Sequence, residues 1–238
     1  MHSAIAIARS PVVNHLVAAI PQRDRQRLLA AFESVDLTIG DELCEAGQPI
    51  RHVYFPLEGF ISLMLSIDGR ANLELALIGN EGMFGSPLIL GVSVSPLRAL
   101  VQGSGSALRI SPAALRHELE RSAALRITLN RYVYVSLAQL AQVAACNSFH
   151  ALNERLVRWI LMTHDRAHSD EFHLTHEFLA QMLGVRRVGV TNAAGALQRR
   201  GLVSYSRGEI RVLDRAGLEA ATCSCYQADR NTYEQILG

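Results

Sequence analysis

Hydrophobic and polar positions divide the chain into a strand-rich first half and a helix-rich second half. From residue 35 to about residue 110, short β-prone runs alternate with turns that contain glycine, such as Asp68-Gly69 and Gly79-Asn80. The clearest runs are 53–55, 60–65, 73–78 and 107–110. Many short strands at regular spacing are typical of a sandwich or barrel of the jelly-roll kind. We therefore predict a jelly-roll β-domain whose one plausible helix is a short one at 87–90.

Helical patterns flank this region on both sides. Pro21 can open an N-terminal helix that reaches Phe32. A serine followed by a proline is a typical helix start, so Ser111-Pro112 predicts a helix that continues to about Glu120. A longer helix is predicted from residue 123 to about residue 146, because that stretch contains neither proline nor glycine.

The long helix carries a heptad seam. Its apolar and small positions recur at alternating steps of four and three residues, which is the spacing of a coiled-coil seam. These positions are Leu129, Val133, Ser136, Leu140 and Val143, with Asn147 at the end. We expect the seam to form a parallel two-fold interface with a second copy of the chain. The alternative is that the seam packs only on the chain's own β-domain.

A further pair of helices is predicted after this seam. Ser148 can cap a helix over 149–164, and a polar loop is expected at 164–170. Thr175 can cap the next helix, because its side-chain oxygen can accept a hydrogen bond from a free N–H group in the first turn. Gly184 follows the apolar face of that helix directly, and glycine readily ends a helix in the left-handed conformation.

The following helix is expected from about residue 186 to residue 199, before Gly201. Its apolar and small positions are Val190, Ala193, Ala194 and Leu197. Two strand-like runs, 202–205 and 209–213, then flank a turn at 206–208 and predict a hairpin, or wing. Two short helices joined by a tight turn with glycine form a helix-turn-helix, whose second helix can enter the major groove of DNA.

Charge separates this segment from the rest of the chain. The 238 residues include 23 basic and 22 acidic side chains and no lysine, so the formal net charge is +1. Segment 174–211 has six arginines and two glutamates and a net charge of +4, whereas the remaining 17 arginines and 20 acids sum to −3. A local basic stretch is the electrostatic footprint of phosphate binding. The alternative is an arginine-rich helical pair on a solvated surface.

Composition restricts the class of protein further. The length allows two domains, and 49% of the residues are apolar, so each domain can bury a core. No apolar run reaches the roughly 20 residues that a membrane span needs. Ile5 and Ile7 precede Arg9, an order that does not fit a secretory signal. The four cysteines form no C-x-x-C pair, so we expect a reducing cytoplasm as the compartment and no disulfide framework.

Candidate metal ligands are sparse. An iron–sulfur sensor needs several thiolates, and no cysteine precedes Cys44. Cys223 and Cys225 could bind a metal or respond to oxidation, but two thiols near the end of a chain are more often incidental. A group of histidines is interpreted as part of a solvated linker: His164, His168, His173 and His176. We therefore expect neither a metal nor a cofactor.

An enzyme built on the β-domain is the competing class of function. A jelly-roll metalloenzyme needs several histidine and glutamate ligands on facing strands. The region from residue 35 to residue 110 contains only one histidine, His52. The sequence has no nucleophile motif and no phosphate-binding glycine loop. We expect that the chain is not an enzyme.

The order of these elements resembles the Crp/Fnr family of bacterial transcription regulators over nearly the whole chain. The strongest likeness is segment 174–212, where helix, turn, helix and wing follow in the family's order. The ending LDRAGLEAA and several turn glycines are also similar: Gly40, Gly47, Gly59, Gly79 and Gly85. The resemblance implies an α+β chain with a cyclic-nucleotide-binding-like β-roll and N-terminal helix at 1–118, a dimerisation helix at 119–149 and a winged helix-turn-helix domain at 150–238.

The resemblance also implies which residues read DNA. The family commonly uses an Arg-Glu pair and a later arginine, and these positions fall here on Arg187, Val188 and Asn192. Arg187 suits a guanine, Asn192 suits an adenine, and Val188 can make only apolar contacts, for example with a thymine methyl group. The expected DNA-binding residues are Thr175, Arg186, Arg187, Val188, Thr191, Asn192, Arg199 and Arg207.

The effector site departs further from the family's pattern. Members that bind cyclic AMP carry Gly-Glu, whose acid binds the ribose, and Arg-Ser/Thr-Ala, whose arginine binds the phosphate. Here Gly85 is followed by Ser86, and Arg98 by Ala99, so the arginine remains but the carboxylate and the hydroxyl are missing. These four residues are the effector-pocket candidates, although Arg98 could instead pair with an acid such as Glu81. We predict that cyclic AMP is not a tight ligand.

Together these patterns predict a homodimeric, sequence-specific transcription regulator that binds a palindromic site on double-stranded DNA. RNA polymerase is an expected partner, and a membrane is not. The nature of the signal stays open. An unknown small-molecule effector, no effector at all, and a response to redox state or to a metal are the alternatives.

Overall fold

The computed structural model describes residues 13–67 and 71–238. The expectations for Ile5, Ile7 and Arg9 and for the Asp68-Gly69 turn concern residues outside these ranges. In the part that is described, no helix is both long enough and apolar enough to cross a membrane.

Two antiparallel sheets form the N-terminal β-domain, as the spacing of short strands predicts. Its strands are β1 (Glu33–Leu37), β2 (Glu42–Cys44), β3 (Val53–Pro56), β4 (Phe60–Ile67), β5 (Ala71–Ile78), β6 (Arg98–Gly103) and β7 (Gly105–Ile110). One sheet has the order β1-β7-β3 and the other has the order β2-β6-β4-β5. A short 3₁₀-helix, Ser86–Leu90, lies where the sequence predicts a short helix.

Three strands of this domain do not stand out in the sequence. β1 is mostly exposed, and β2 has only three residues, of which Cys44 alone is buried, so neither strand shows a clear apolar pattern. β6 lies inside its sheet, but Ala99 and Val101 are its only fully buried side chains among the described residues. A strand with so few large apolar residues gives a weak periodic signal.

Glycine is required at the turn between β3 and β4. Gly59 has a φ of +75°, and a Cβ at that position would lie 2.2 Å from the carbonyl oxygen of Gly103. No side chain fits such an approach, because both the backbone angle and the space exclude one. The β3–β4 turn therefore packs directly on the backbone at Gly103 and Ser104, between β6 and β7.

Helices precede and follow the β-domain. They are α1 (His15–Ala18), α2 (Gln22–Ala30), α3 (Pro112–Arg121) and α4 (Ala123–Phe149). Pro21 lies at the N-cap of α2, and the Ser111 hydroxyl accepts a hydrogen bond from the N–H of Ala114 at the start of α3, as predicted. The long helix α4 extends three residues beyond the predicted end near Cys146.

The C-terminal domain contains the predicted helix-turn-helix and wing. Its elements are α5 (Leu152–Ala167), β8 (Glu171–His173), α6 (His176–Leu183), α7 (Arg187–Arg199), β9 (Val203–Ser206), β10 (Glu209–Val212), α8 (Arg215–Ala221) and α9 (Cys225–Leu237). The wing is a three-stranded sheet with the order β8-β10-β9, because β8 joins the predicted hairpin. The polar C-terminal segment is the helix α9, which packs along α4.

Two expectations about the start and end of α5 are wrong. Ser148 does not cap α5, since it lies inside α4 and its hydroxyl donates to the carbonyl of Ala144. Glu154 instead reaches back to the N–H of Ala151, at 3.1 Å. The predicted polar loop at 164–170 is shorter, because α5 continues to Ala167.

The two domains have separate cores that meet at one junction. Met64 of β4 belongs to the core of the C-terminal domain. On β5, the carboxylate of Glu74 accepts a hydrogen bond from Nε1 of Trp159 on α5 at 2.6 Å. Arg166 of α5 forms an ion pair with Glu81 at 2.8 Å. Buried polar contacts therefore join the β-domain directly to the helix that precedes the helix-turn-helix.

Candidate functional site

The turn of the helix-turn-helix depends on its glycine. Gly184 has a φ of +63°, and its N–H is directed at the last carbonyl groups of α6. At the other end of α6, the hydroxyl of Thr175 accepts a hydrogen bond from the N–H of Phe178 at 3.1 Å. Both ends of α6 are therefore closed by the residues that the sequence predicts.

The helix α7 buries one face and exposes the other. Its buried side chains are Val190, Ala193, Ala194 and Leu197, as predicted from their spacing. The opposite face of its first two turns is exposed and consists of Arg187, Val188, Thr191 and Asn192. Val188 is 64% exposed, although its side chain is apolar. The remaining predicted DNA-binding residues are also exposed: Thr175, Arg186, Arg199 and Arg207.

His176 of α6 contacts both α7 and the wing, whereas the sequence assigned it to a solvated linker and not to the DNA-binding residues. Its Nδ1 lies 3.0 Å from the hydroxyl of Thr191 on α7. Its ring stacks on Tyr205 of the wing, with 4.3 Å between ring centroids. Burial, together with the nearby charge of Arg187, lowers the pKa of His176 below its usual value of 6.5. A single histidine in a polar run carries no local signal of these contacts.

The exposed arginines give this surface a positive charge. Arg186, Arg187 and Arg207 have no carboxylate partner within residues 13–67 and 71–238. Arg211, in contrast, pairs with Glu171 at 3.3 Å. Arg207 lies at the wing tip with a φ of +52°. Phosphate groups attract such unpaired guanidinium groups.

A second candidate site is a cavity of about 340 Å³ between the β-domain and α4. Gly85 and Ser86, two of the effector-pocket candidates, line it together with apolar side chains such as Leu63, Phe84 and Leu97. Ser136 and Gln139 of α4 are among its polar groups. Of the described side chains that line this cavity, none carries a formal charge.

Two of the predicted effector residues do not line this cavity. Arg98 forms an ion pair with Glu42, with 2.8 Å between the nitrogen and oxygen atoms, and so faces away from the cavity. Ala99 is fully buried inside its sheet. The suggested partner of Arg98, Glu81, pairs with Arg166 instead. The carboxylate of Glu42 thus accepts a hydrogen bond from the guanidinium group of Arg98, although the two residues are 56 positions apart in the sequence.

The predicted heptad seam of α4 faces the chain's own β-domain. Leu129 is fully buried in the core of that domain. Val133, Ser136 and Leu140 line the 340 Å³ cavity, and Val143 borders a smaller cavity near Glu74 and Trp159. Within one subunit the seam follows the alternative and packs on the chain's own β-domain, with Leu129 fully buried and the other four residues partly exposed. A two-fold interface along this seam stays a prediction. Ile127, Tyr134 and Leu137 of α4 are exposed, and Leu137 also borders the 340 Å³ cavity.

Three cysteines and a histidine converge where α4 ends. Cys146 and His150 lie there, Cys223 lies between α8 and α9, and Cys225 is the first residue of α9. The sequence left open whether Cys223 and Cys225 are functional or incidental, and in the structure both lie beside Cys146 and His150. The histidines that are grouped in the sequence do not converge on one site. His164 contacts Asp170, His173 contacts Glu209, and His176 contacts Thr191.

Comparisons with known proteins agree with this arrangement of domains. The cyclic nucleotide-binding domain family matches residues 35–122. The Crp-like helix-turn-helix domain family matches residues 154–221. A search of curated proteins found no match.

Solved structures of similar fold cover most of the chain. A Crp/Fnr-family transcriptional regulator from Eubacterium rectale has a TM-score of 0.68 at 17% identity, over 87% of this chain and 96% of that one. FixK2 from Bradyrhizobium japonicum has a TM-score of 0.68 at 15% identity, over 81% and 98%. CLP, a c-di-GMP responsive regulator from Xanthomonas campestris, has a TM-score of 0.65 at 17% identity, over 81% and 99%. With both of its domains matched in order, this chain belongs to the Crp/Fnr family of DNA-binding transcription regulators.

Proposed function

We propose that the protein binds a palindromic DNA site as a homodimer, with α7 of each subunit in the major groove. The observation that carries this proposal is the exposed face of the first two turns of α7. That face combines a guanidinium group, a carboxamide, a hydroxyl and one apolar side chain, on Arg187, Asn192, Thr191 and Val188. Such groups read the edges of base pairs in the major groove.

The proposed roles follow from the chemistry of each side chain. Arg187 donates two hydrogen bonds to a guanine, and Asn192 pairs with an adenine. Val188 contacts a thymine methyl group, which is the apolar feature that the groove presents. Thr175 and Arg207 contact the DNA backbone, and Arg186, Thr191 and Arg199 contact the backbone or a base edge. His176 does not contact a base itself; it holds Thr191 and the wing in position.

The two-fold interface is proposed on the outer face of α4. Ile127, Tyr134 and Leu137 are 53%, 58% and 60% exposed, which is unusual for large apolar side chains on one helix. Ala141 and Ala144 continue the same row and are also exposed. Successive members of this row are seven, three, four and three residues apart, which fits the heptad spacing of a coiled-coil seam, so two copies of α4 can pack in parallel along this row.

The effector proposed for this fold is an uncharged molecule rather than cyclic AMP. A cyclic phosphate needs a cation, and Arg98 is already paired with Glu42 outside the cavity. The apolar walls, together with Ser86, Ser136 and Gln139, suit a small neutral ligand with a few polar groups. Leu137 borders this cavity and also belongs to the proposed dimer face. A ligand there would therefore act on the dimer.

Selection of bound sequences from random double-stranded DNA tests the proposed DNA-binding mode. We expect two inverted half-sites, about 10 base pairs from centre to centre or a multiple of that spacing. A guanine and an adenine should be fixed within each half-site. Selection repeated with cell extract shows whether a diffusible molecule is needed, and addition of RNA polymerase to the bound DNA tests the expected partner. A single unrepeated motif, or no enrichment under any condition, would contradict the proposed mode.

A further inference from the structure

The cysteine and histidine side chains at the end of α4 form a compact set of potential metal ligands. One ligand atom from each of Cys146, His150, Cys223 and Cys225 can be chosen so that all four lie within 4.8 Å of one another. The sulfur atoms of Cys146 and Cys223 are 3.6 Å apart. Nδ1 of His150 lies 3.4 Å from the sulfur of Cys225.

The local structure explains why these four side chains meet. Cys146 and His150 are four residues apart, so they share one face at the end of α4. Cys223 and Cys225 flank Ser224, the residue that precedes the first turn of α9. Since α9 packs along α4, the start of α9 is held against the end of α4. The three thiols are buried, with exposures of 1%, 5% and 1% in chain order.

We propose that these four side chains bind one Zn²⁺ ion in a tetrahedral Cys₃His site. Three cysteines and one histidine are an established ligand set of structural zinc sites. Two sulfurs that lie about 2.3 Å from a tetrahedral ion are about 3.8 Å apart, which agrees with the separation of Cys146 and Cys223. An iron–sulfur cluster distributes its thiolates over several iron atoms, so it needs a wider set than this one.

Neighbouring polar groups suit the charge of such a site. Zn²⁺ displaces three thiol protons, so the ion and its three thiolates carry a net charge of −1. Nε2 of Gln142 donates to the sulfur of Cys225 at 2.9 Å, which is the kind of contact that orients a ligand. Arg155 and Arg158 border the same small cavity as Cys146, and Arg158 also forms a buried ion pair with Asp229. The Nε atom of each arginine is buried without a protein hydrogen-bond partner in the described part of the chain.

The position of the site determines what the ion would do. His150 lies in the short linker between α4, which carries the proposed dimer face, and α5, which begins the C-terminal domain. Cys223 and Cys225 lie directly after the helix that follows the wing. One ion would therefore join the linker to the end of the C-terminal domain and hold α9 against α4. This inference does not depend on which DNA sequence the protein binds.

The metal content of the purified full-length protein tests the site directly. The protein is loaded with Zn²⁺ under reducing conditions, dialysed, and analysed by inductively coupled plasma mass spectrometry. We expect about one zinc per chain in the native protein and less than about a tenth of that in C223S/C225S. Cys44→Ser is the matched control, because Cys44 is also a buried cysteine but lies in the β-domain, and it should retain the zinc.

Cobalt provides a second readout that does not need a folded variant. Co²⁺ added to the native protein should give thiolate-to-cobalt charge-transfer bands and the intense visible bands of a four-coordinate ion. Zinc should abolish both sets of bands by displacing cobalt. The proposal is overturned if zinc-loaded native protein retains no zinc and shows no cobalt–thiolate band. It is also overturned if C223S/C225S keeps its zinc, or if the native protein instead contains iron with sulfide.

Discussion

The buried carboxylate at the junction of the two domains makes stability depend on pH. Glu74 is almost fully buried, and both of its oxygens accept hydrogen bonds, from Ser62 at 2.5 Å and from Trp159 at 2.6 Å. Burial raises the pKa of Glu74 from 4.5 to about 7, although these two hydrogen bonds and the charges of Arg166 and Arg158 oppose the rise. Folding therefore favours the protonated form of Glu74.

The sign and the size of the effect follow from this pKa. A pKa that is higher in the folded state than in the unfolded state contributes stability that is fully present below pH 4.5. That contribution is lost as the pH rises to about 7, and the difference corresponds to about 3 kcal/mol. Glu74→Gln imitates the protonated form, because its carbonyl still accepts from Trp159 and its amide can donate to Ser62.

We expect Glu74→Gln to raise the free energy of unfolding by up to about 3 kcal/mol at pH 8 and to leave it nearly unchanged at pH 4.5. Denaturant titrations followed by the fluorescence of Trp159 measure this difference, because Trp159 is the single tryptophan of the chain and contacts Glu74. Glu58→Gln is the control, since Glu58 is exposed and should show no such dependence. A difference between Glu74→Gln and the native protein that stays constant from pH 4.5 to pH 8 would refute the reasoning.

Three further predictions concern DNA, the dimer and the effector. Arg187→Ala should weaken specific DNA binding by about 1–3 kcal/mol and relax the preference at one base pair in gel-shift titrations, whereas Arg116→Ala, at an exposed arginine of α3, should change neither. Leu137→Glu should shift the sedimentation of the protein from dimer to monomer by placing a charge in the interface, at a cost of about 3 kcal/mol or more, and Leu29→Glu on α2 should not. Calorimetric titration with up to about 1 mM cyclic AMP should show no binding, because each missing polar partner costs roughly 1.5–3 kcal/mol, and micromolar affinity would contradict this.

Local sequence patterns were sufficient to predict most of the helices and strands and the exposed face of α7 that we propose to bind DNA. The cap at Thr175, the left-handed Gly184 and the spacing of Val190 and Leu197 fix where α6 and α7 lie and which face of α7 is buried. The exposed face then follows, because a helix that buries one side must present the other. The predicted base-reading residues lie on it for that reason.

Features that depend on distant residues could not be predicted in the same way. The heptad spacing of α4 is real, but both sides of the helix carry apolar residues, so spacing alone cannot decide which side meets the β-domain. Leu129 is buried by that domain, and Leu137 is left exposed. Arg98 likewise has an acid partner 56 residues away, and no local pattern distinguishes that acid from others.

The sequence by itself thus determined the order of most elements and the exposed face of α7, because spacing, caps and turn residues act within one segment. Tertiary structure alone decided which residues of α4 stay exposed and that Arg98 pairs with Glu42 outside the cavity. It also decided that Cys146 contacts Cys223, which is 77 residues away in the sequence. The physical reason is that such contacts depend on how whole helices and sheets pack, and periodicity in one segment carries no information about the segment that will cover it.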